Sequence, residues 1–91
     1  MFGKLEATAR ITNKRGLHAR ASAKVVEAAA RFDSEITFIK DGQRVNARSI
    51  MGLMMLAASQ GCEVGLEAEG ADAHLALRAM LALIEAKFGE E

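Results

Sequence analysis

The sequence predicts an α+β fold: an open-faced β-sandwich, β-α-β-β-α-β-α, with a four-stranded antiparallel sheet covered on one face by three helices. Three observations predict it. Every candidate strand alternates apolar and polar residues, so each has one dry and one wet face. Asp41-Gly42 stands between two such runs and is a strong signal for a two-residue hairpin. The remaining segments carry apolar residues at helical spacing.

Lys4 to Ile11 places Leu5, Ala7, Ala9 and Ile11 on one face and reads as the first strand. Asn13-Lys14-Arg15-Gly16 interrupts it as a polar loop. From Ala19 to Phe32 the composition is helical, with Val25, Ala29 and Phe32 forming a stripe beside Ser22. Glu35 to Lys40 alternates through Ile36 and Phe38, and Gln43 to Asn46 returns from the hairpin as a short strand. Ser49 is placed to cap a short helix from Ile50 to about Ala57, which Gln60-Gly61 follows. Cys62, Val64, Leu66 and Ala68 form the dry face of the fourth strand. Asp72 is placed to cap the last helix, Ala73 to Phe88, whose buried stripe is Leu77, Met80, Leu81, Ile84 and Phe88. No repeat, linker or low-complexity tract divides the chain, so residues 1–91 are expected to form one domain.

Ninety-one residues support one thin core and little room for a lidded catalytic pocket. The four aromatic residues are all phenylalanine, which leaves a single-strand nucleic-acid binder short of stacking platforms. Net charge is zero but unevenly spread. Residues 1–48 hold ten Lys/Arg against five Asp/Glu, and residues 49–91 hold two against seven. The basic half suits an anionic group or an acidic partner, although charged faces that merely meet solvent produce the same asymmetry. Cys62 is alone, which fits a reducing compartment and a packing role. With neither a signal core nor a membrane-length apolar run, the expected location is the cytoplasm. No metal-ligand cluster or cofactor motif stands out; His74 reads as a surface or packing residue.

The chemistry concentrates at Gly16-Leu17-His18-Ala19-Arg20. The loop leaves a strand, and His18 falls where a helix begins. A helix start offers unpaired N–H groups and a positive partial charge, which favour an anion and disfavour imidazolium. A neutral imidazole is the form that attacks phosphorus. Arg20 can add a charge-assisted hydrogen bond to the phosphoryl group that results. On the pentapeptide alone, a plain cap or a satisfied surface residue explains His18 better than a nucleophile does.

The longer pattern separates the two readings. Asn13-x-x-Gly16-Leu17-His18-Ala19-Arg20-x-Ser22-Ala23, followed by Asn46-Ala47-Arg48-Ser49-Ile50-Met51-Gly52-Leu53, resembles the histidine-containing phosphocarrier family, HPr. The resemblance extends to Ser34-Glu35-Ile36-Thr37 and Gln60-Gly61, and so covers nearly the whole chain. It implies a carrier that accepts a phosphoryl group from phosphorylated Enzyme I, whose source is phosphoenolpyruvate, and passes it to an EIIA-type protein. His18 matches the family's phosphorylated histidine and Arg20 the arginine beside it. Ser49 matches the serine that a dedicated HPr kinase/phosphorylase modifies in many members. Many members carry Pro where this chain has Ala21, and alanine there resembles the nitrogen-related, regulatory branch.

The Ser49 cap has a structural purpose with or without a kinase. After it, Ile50, Met51, Leu53, Met54, Met55 and Leu56 surround most of a short helix, more apolar surface than one sheet can cover. Leu53 and Leu56 are the core candidates. Ile50, Met51 and Met54, with Lys24, then form the candidate docking surface for Enzyme I and the acceptor; deep burial of the whole helix is the alternative. Partners supply the catalysis, and a carrier that must undock quickly is expected to be a monomer. Two rivals remain: a docking module of the same fold without phosphoryl relay, and an α+β RNA-binding domain. The nucleophile His18 beside Arg20 argues against the first, and zero net charge against the second.

Overall fold

The computed structural model describes residues 3–90. The elements in chain order are β1 (Lys4–Arg10), α1 (Ala19–Ala29), β2 (Glu35–Lys40), β3 (Gln43–Asn46), α2 (Ile50–Met55), β4 (Glu63–Glu69) and α3 (Ala73–Glu85), then a 3₁₀ turn over Lys87–Gly89. The sheet runs β1-β4-β2-β3, with every pairing antiparallel. Register follows from the alternation: Phe38 lies opposite both Leu66 and Val45, and Ala68 lies opposite both Leu5 and Ile36. One residue of slip would turn this apolar row to solvent.

Ile36, Phe38, Val64, Leu66 and Ala68 form the sheet's contribution to the core, all nearly inaccessible. From the helices come Val25 and Ala29, then Leu53, then Ala76, Leu77, Met80 and Ile84. Leu56, after α2, is buried as its spacing requires. The predicted layers are therefore present, with differences at the edges. Leu5 is exposed rather than buried, because β1 is an edge strand. Leu81 only borders the core.

Helix ends differ from the periodicity for a common reason. After α1, the amides of Arg31 and Phe32 bond back three residues to Ala28 and Ala29, a tightened turn instead of further α-helix. The amides of Leu56 and Ala57 do the same after α2, and Ala57 takes a positive φ of 52°. Lys87 and Phe88 both adopt φ 57° and end α3 early, yet Phe88 still fills the core. Its position in the apolar stripe survived the break in the helix. Cys62 lies one residue outside β4 and is half-buried, its thiol 3.4 Å from the Ser59 hydroxyl.

Asp72 does not cap α3 with its side chain. Its carboxylate reaches the α1–β2 connection instead, accepting from the amides of Asp33 and Ser34 at 2.9 Å each and from the Ser34 hydroxyl. The Ser34 hydroxyl first, and the Asp33 amide next, hold this carboxyl below its ordinary range. Arg48 secures the same loop through the carbonyl of Phe32, 2.5 Å away.

Candidate functional site

The loop that delivers His18 is closed on itself before it reaches the helix. Asn13 is fully buried, and its side-chain N–H donates 2.9 Å to the Gly16 carbonyl. Gly16 has φ 64°, and a Cβ there would overlap the Ala58 carbonyl oxygen and lie 2.8 Å from the Ser59 Cα. Only glycine meets both demands, the positive φ and the backbone approach. The next amide, Leu17, donates 2.9 Å to that same Ala58 carbonyl, and the Leu17 side chain is buried. His18 therefore leaves a loop fastened to the α2–β4 connection.

His18 is the N-cap of α1, in extended conformation. Its carbonyl accepts the first helical bond from the Ser22 amide at 2.8 Å, and its Nδ1 accepts from the Arg20 amide at 3.2 Å. The Ser22 hydroxyl donates back to the Leu17 carbonyl, which buries this polar side chain at no cost in unmet bonds. On the other edge of the ring, Nε2 bonds the Glu90 carboxylate. These two contacts assign the proton. A carboxylate only accepts, so Nε2 carries the hydrogen; Nδ1 faces a donor, so it carries a lone pair. So arranged, the ring presents its Nδ1 lone pair at the start of α1.

Lys14, Arg15, His18, Arg20 and Glu90 line an open recess of about 210 Å³. Three cationic side chains and the start of an 11-residue helix face one carboxylate there. A dianionic phosphoryl group on Nδ1 fits that field. The Glu90 carboxyl is held below its ordinary range chiefly by Asn13, then by His18, with smaller help from Arg15.

Glu90 and Asn13 were not singled out as site residues from sequence, although Asn13 stands in the motif. The Glu90 contact spans 72 positions and has no local pattern to announce it. Lys24, expected at the docking surface, spends its ammonium on the Phe88 carbonyl at 2.6 Å, and so fastens the turn after α3. Ser49 caps α2, its hydroxyl oxygen accepting from the Gly52 amide at 2.9 Å. Beyond that cap, Ile50, Met51 and Met54 are exposed by 41%, 75% and 44%. Met55, not anticipated, is exposed by 64%, so the apolar surface is wider than the spacing suggested. It belongs to a helix that packs directly against α1. Among the described residues no group of acidic, Cys and His side chains is placed to hold a metal ion, and no helix is long and apolar enough to cross a membrane.

Residues 5–86 match the model of the family described as PTS HPr component phosphorylation site. The phosphocarrier protein HPr of Xylella fastidiosa is 47% identical over 87 residues, covering 96% of this chain and 98% of that protein. The phosphocarrier protein NPr of Shewanella violacea is 45% identical over 87 residues, with 96% of each covered. Among solved structures, HPr-C-His from Thermoanaerobacter tengcongensis superposes with a TM-score of 0.91 at 53% identity, covering 96% of this chain and 98% of that one. An HPr dimer from the same organism superposes with a TM-score of 0.76 at 52% identity, covering 92% and 97%.

Proposed function

The chain belongs to the HPr family of phosphocarriers, and on that premise we propose that His18 is its phosphoryl acceptor, through Nδ1. Phosphorylated Enzyme I supplies the group and an EIIA-type protein receives it, in a phosphotransferase system of the nitrogen- or carbon-regulatory or the sugar-uptake kind. The observation that carries the reading is the ring's setting: Nε2 lies against a carboxylate, and Nδ1 accepts a first-turn amide at a helix start beside Arg20. Arg20 and the first-turn amides stabilise the phosphoryl oxygens once they arrive.

The chain works as one phosphocarrier domain in the cytoplasm and is a substrate of the relay, not an enzyme. Its recess is open and offers an imidazole and cationic side chains, and each partner brings the rest of the catalytic machinery. Ile50, Met51 and Met54 dock the partners, flexible side chains suiting a surface that fits more than one protein. The working unit is the monomer, which suits a carrier that must leave each partner quickly. A kinase acting on Ser49 would set a phosphate beside the docking residues and slow traffic through them.

The test is intact-mass analysis of the protein incubated with Enzyme I and phosphoenolpyruvate, then with candidate EIIA proteins. One acid-labile phosphoryl group gained in the first step and lost in the second supports the relay, and the acceptor that takes it names the branch. A group never gained from demonstrably active Enzyme I leaves docking without relay as the function. Gained but not passed to any EIIA protein, the group would point to a different acceptor class.

A further inference from the structure

We propose that Glu90 is a positioning residue for phosphoryl transfer: it holds the proton on His18 Nε2 and balances the positive charge that forms on the ring. This deepens the carrier reading and rests on it. Both oxygens of the carboxylate are engaged, Oε2 by His18 Nε2 and Oε1 by the Asn13 side-chain N–H at 3.0 Å. Asn13 is fully buried and also tied to Gly16, so one amide group locks the delivery loop and the carboxylate to each other. The segment bearing Glu90 is fixed independently. Phe88 is completely buried, its carbonyl takes the Lys24 ammonium, and the Glu90 amide donates 3.0 Å to the Lys87 carbonyl. A carboxylate held by Asn13 on a fixed segment is built to hold a ring, and the ring it holds is the one proposed to react.

The chemistry gives the contact its purpose. The Nδ1 lone pair attacks the phosphorus of the donor's phosphohistidine, a new N–P bond forms, and the donor's N–P bond breaks with its electron pair returning to the donor ring. No proton needs to move. The His18 ring, neutral before attack, becomes a phosphoimidazolium that still carries hydrogen on Nε2, and that hydrogen remains on Glu90. Positive charge spreads over the ring, and the fixed anion meets it at Nε2, across Cε1 from Nδ1, where it stabilises the cation without meeting the incoming phosphoryl oxygens. Without the carboxylate, the proton could sit on either nitrogen and half-occupy the attacking atom.

The experiment compares wild type, Glu90→Ala and Glu90→Gln. Imidazole ¹⁵N chemical shifts of the unphosphorylated proteins, read where His18 is neutral, report which nitrogen carries hydrogen. Wild type is expected almost wholly in the Nε2–H form, Glu90→Ala as a mixture, and Glu90→Gln as largely Nε2–H because the amide oxygen still accepts. Phosphoryl acceptance from Enzyme I should slow roughly 10-fold in Glu90→Ala, the low end of the loss when the partner orienting a metal-ligating histidine is removed, and less in Glu90→Gln. Unchanged tautomers in Glu90→Ala would overturn the proposal, whether or not the rate falls. The tautomer measurement uses no phosphoryl donor, so a wild type that shows the expected shifts but takes no phosphoryl group would sink the carrier reading and leave the positioning contact standing.

Discussion

Helix α1 begins at the His18 imidazole and helix α2 at the Ser49 hydroxyl, and each cap accepts a backbone N–H from the first turn. The bonds differ in kind. Ser49 reaches three residues on, to the Gly52 amide at 2.9 Å, the spacing a hydroxyl cap prefers. His18 reaches only two residues on, at 3.2 Å, and its other nitrogen is engaged from across the fold by Glu90. Ser49 spends its acceptor on the helix it starts. At α1 the cap is weaker and the lone pair it uses stays available, held by a long bond that an electrophile can replace. The start of α3 makes a third case, for Asp72 leaves its own helix uncapped and anchors a distant loop. A polar residue before a helix can thus serve the helix, the chemistry or the tertiary fold.

The comparison breaks most completely at His18. His18→Ala should take no phosphoryl group from Enzyme I by intact mass, while stability changes by no more than about 1 kcal/mol because imidazole is a poor cap. Arg20→Ala should slow phosphoryl acceptance roughly 10- to 100-fold, the range for losing a charged donor to a developing anion. Its stability should stay within about 0.5 kcal/mol, the side chain being exposed. Ser49→Ala should do the reverse, costing about 1 kcal/mol, or about 4–8 °C in melting midpoint, with phosphoryl acceptance close to wild type. The smallest effect belongs to Asp72. A carboxyl whose folded pKa is depressed stabilises above its unfolded value and loses that contribution as pH falls through the folded one. Wild type should therefore lose stability as pH drops below the ordinary value of 3.8, and Asp72→Asn should flatten that part of the acid-denaturation curve.

The sheet, its faces and the helix starts were legible because alternation, the Asp41-Gly42 hairpin and local capping are all short-range signals. Helix ends were not. Periodicity carried α1 to Phe32 and α3 to Phe88, but both apolar side chains are reached through turns that tighten or reverse the backbone. Leu5 satisfied the alternation and still met solvent, since alternation marks a face without telling whether a helix lies over it. At the site, Gly16, His18 and Arg20 were visible as neighbours in one motif. Glu90 and the true partner of Lys24 were not, because both contacts join α1's start or first turns to the segment after α3 across more than 60 positions.

The central claim is that the cap of α1, through Nδ1, is where the phosphoryl group sits. Its most direct test is ¹⁵N NMR of uniformly labelled protein phosphorylated by Enzyme I and phosphoenolpyruvate, reading which nitrogen couples to ³¹P. Coupling at Nδ1 of His18, with hydrogen retained on Nε2, is the predicted result. Coupling at Nε2, or phosphorus found on the Ser49 hydroxyl instead of the imidazole, would contradict it.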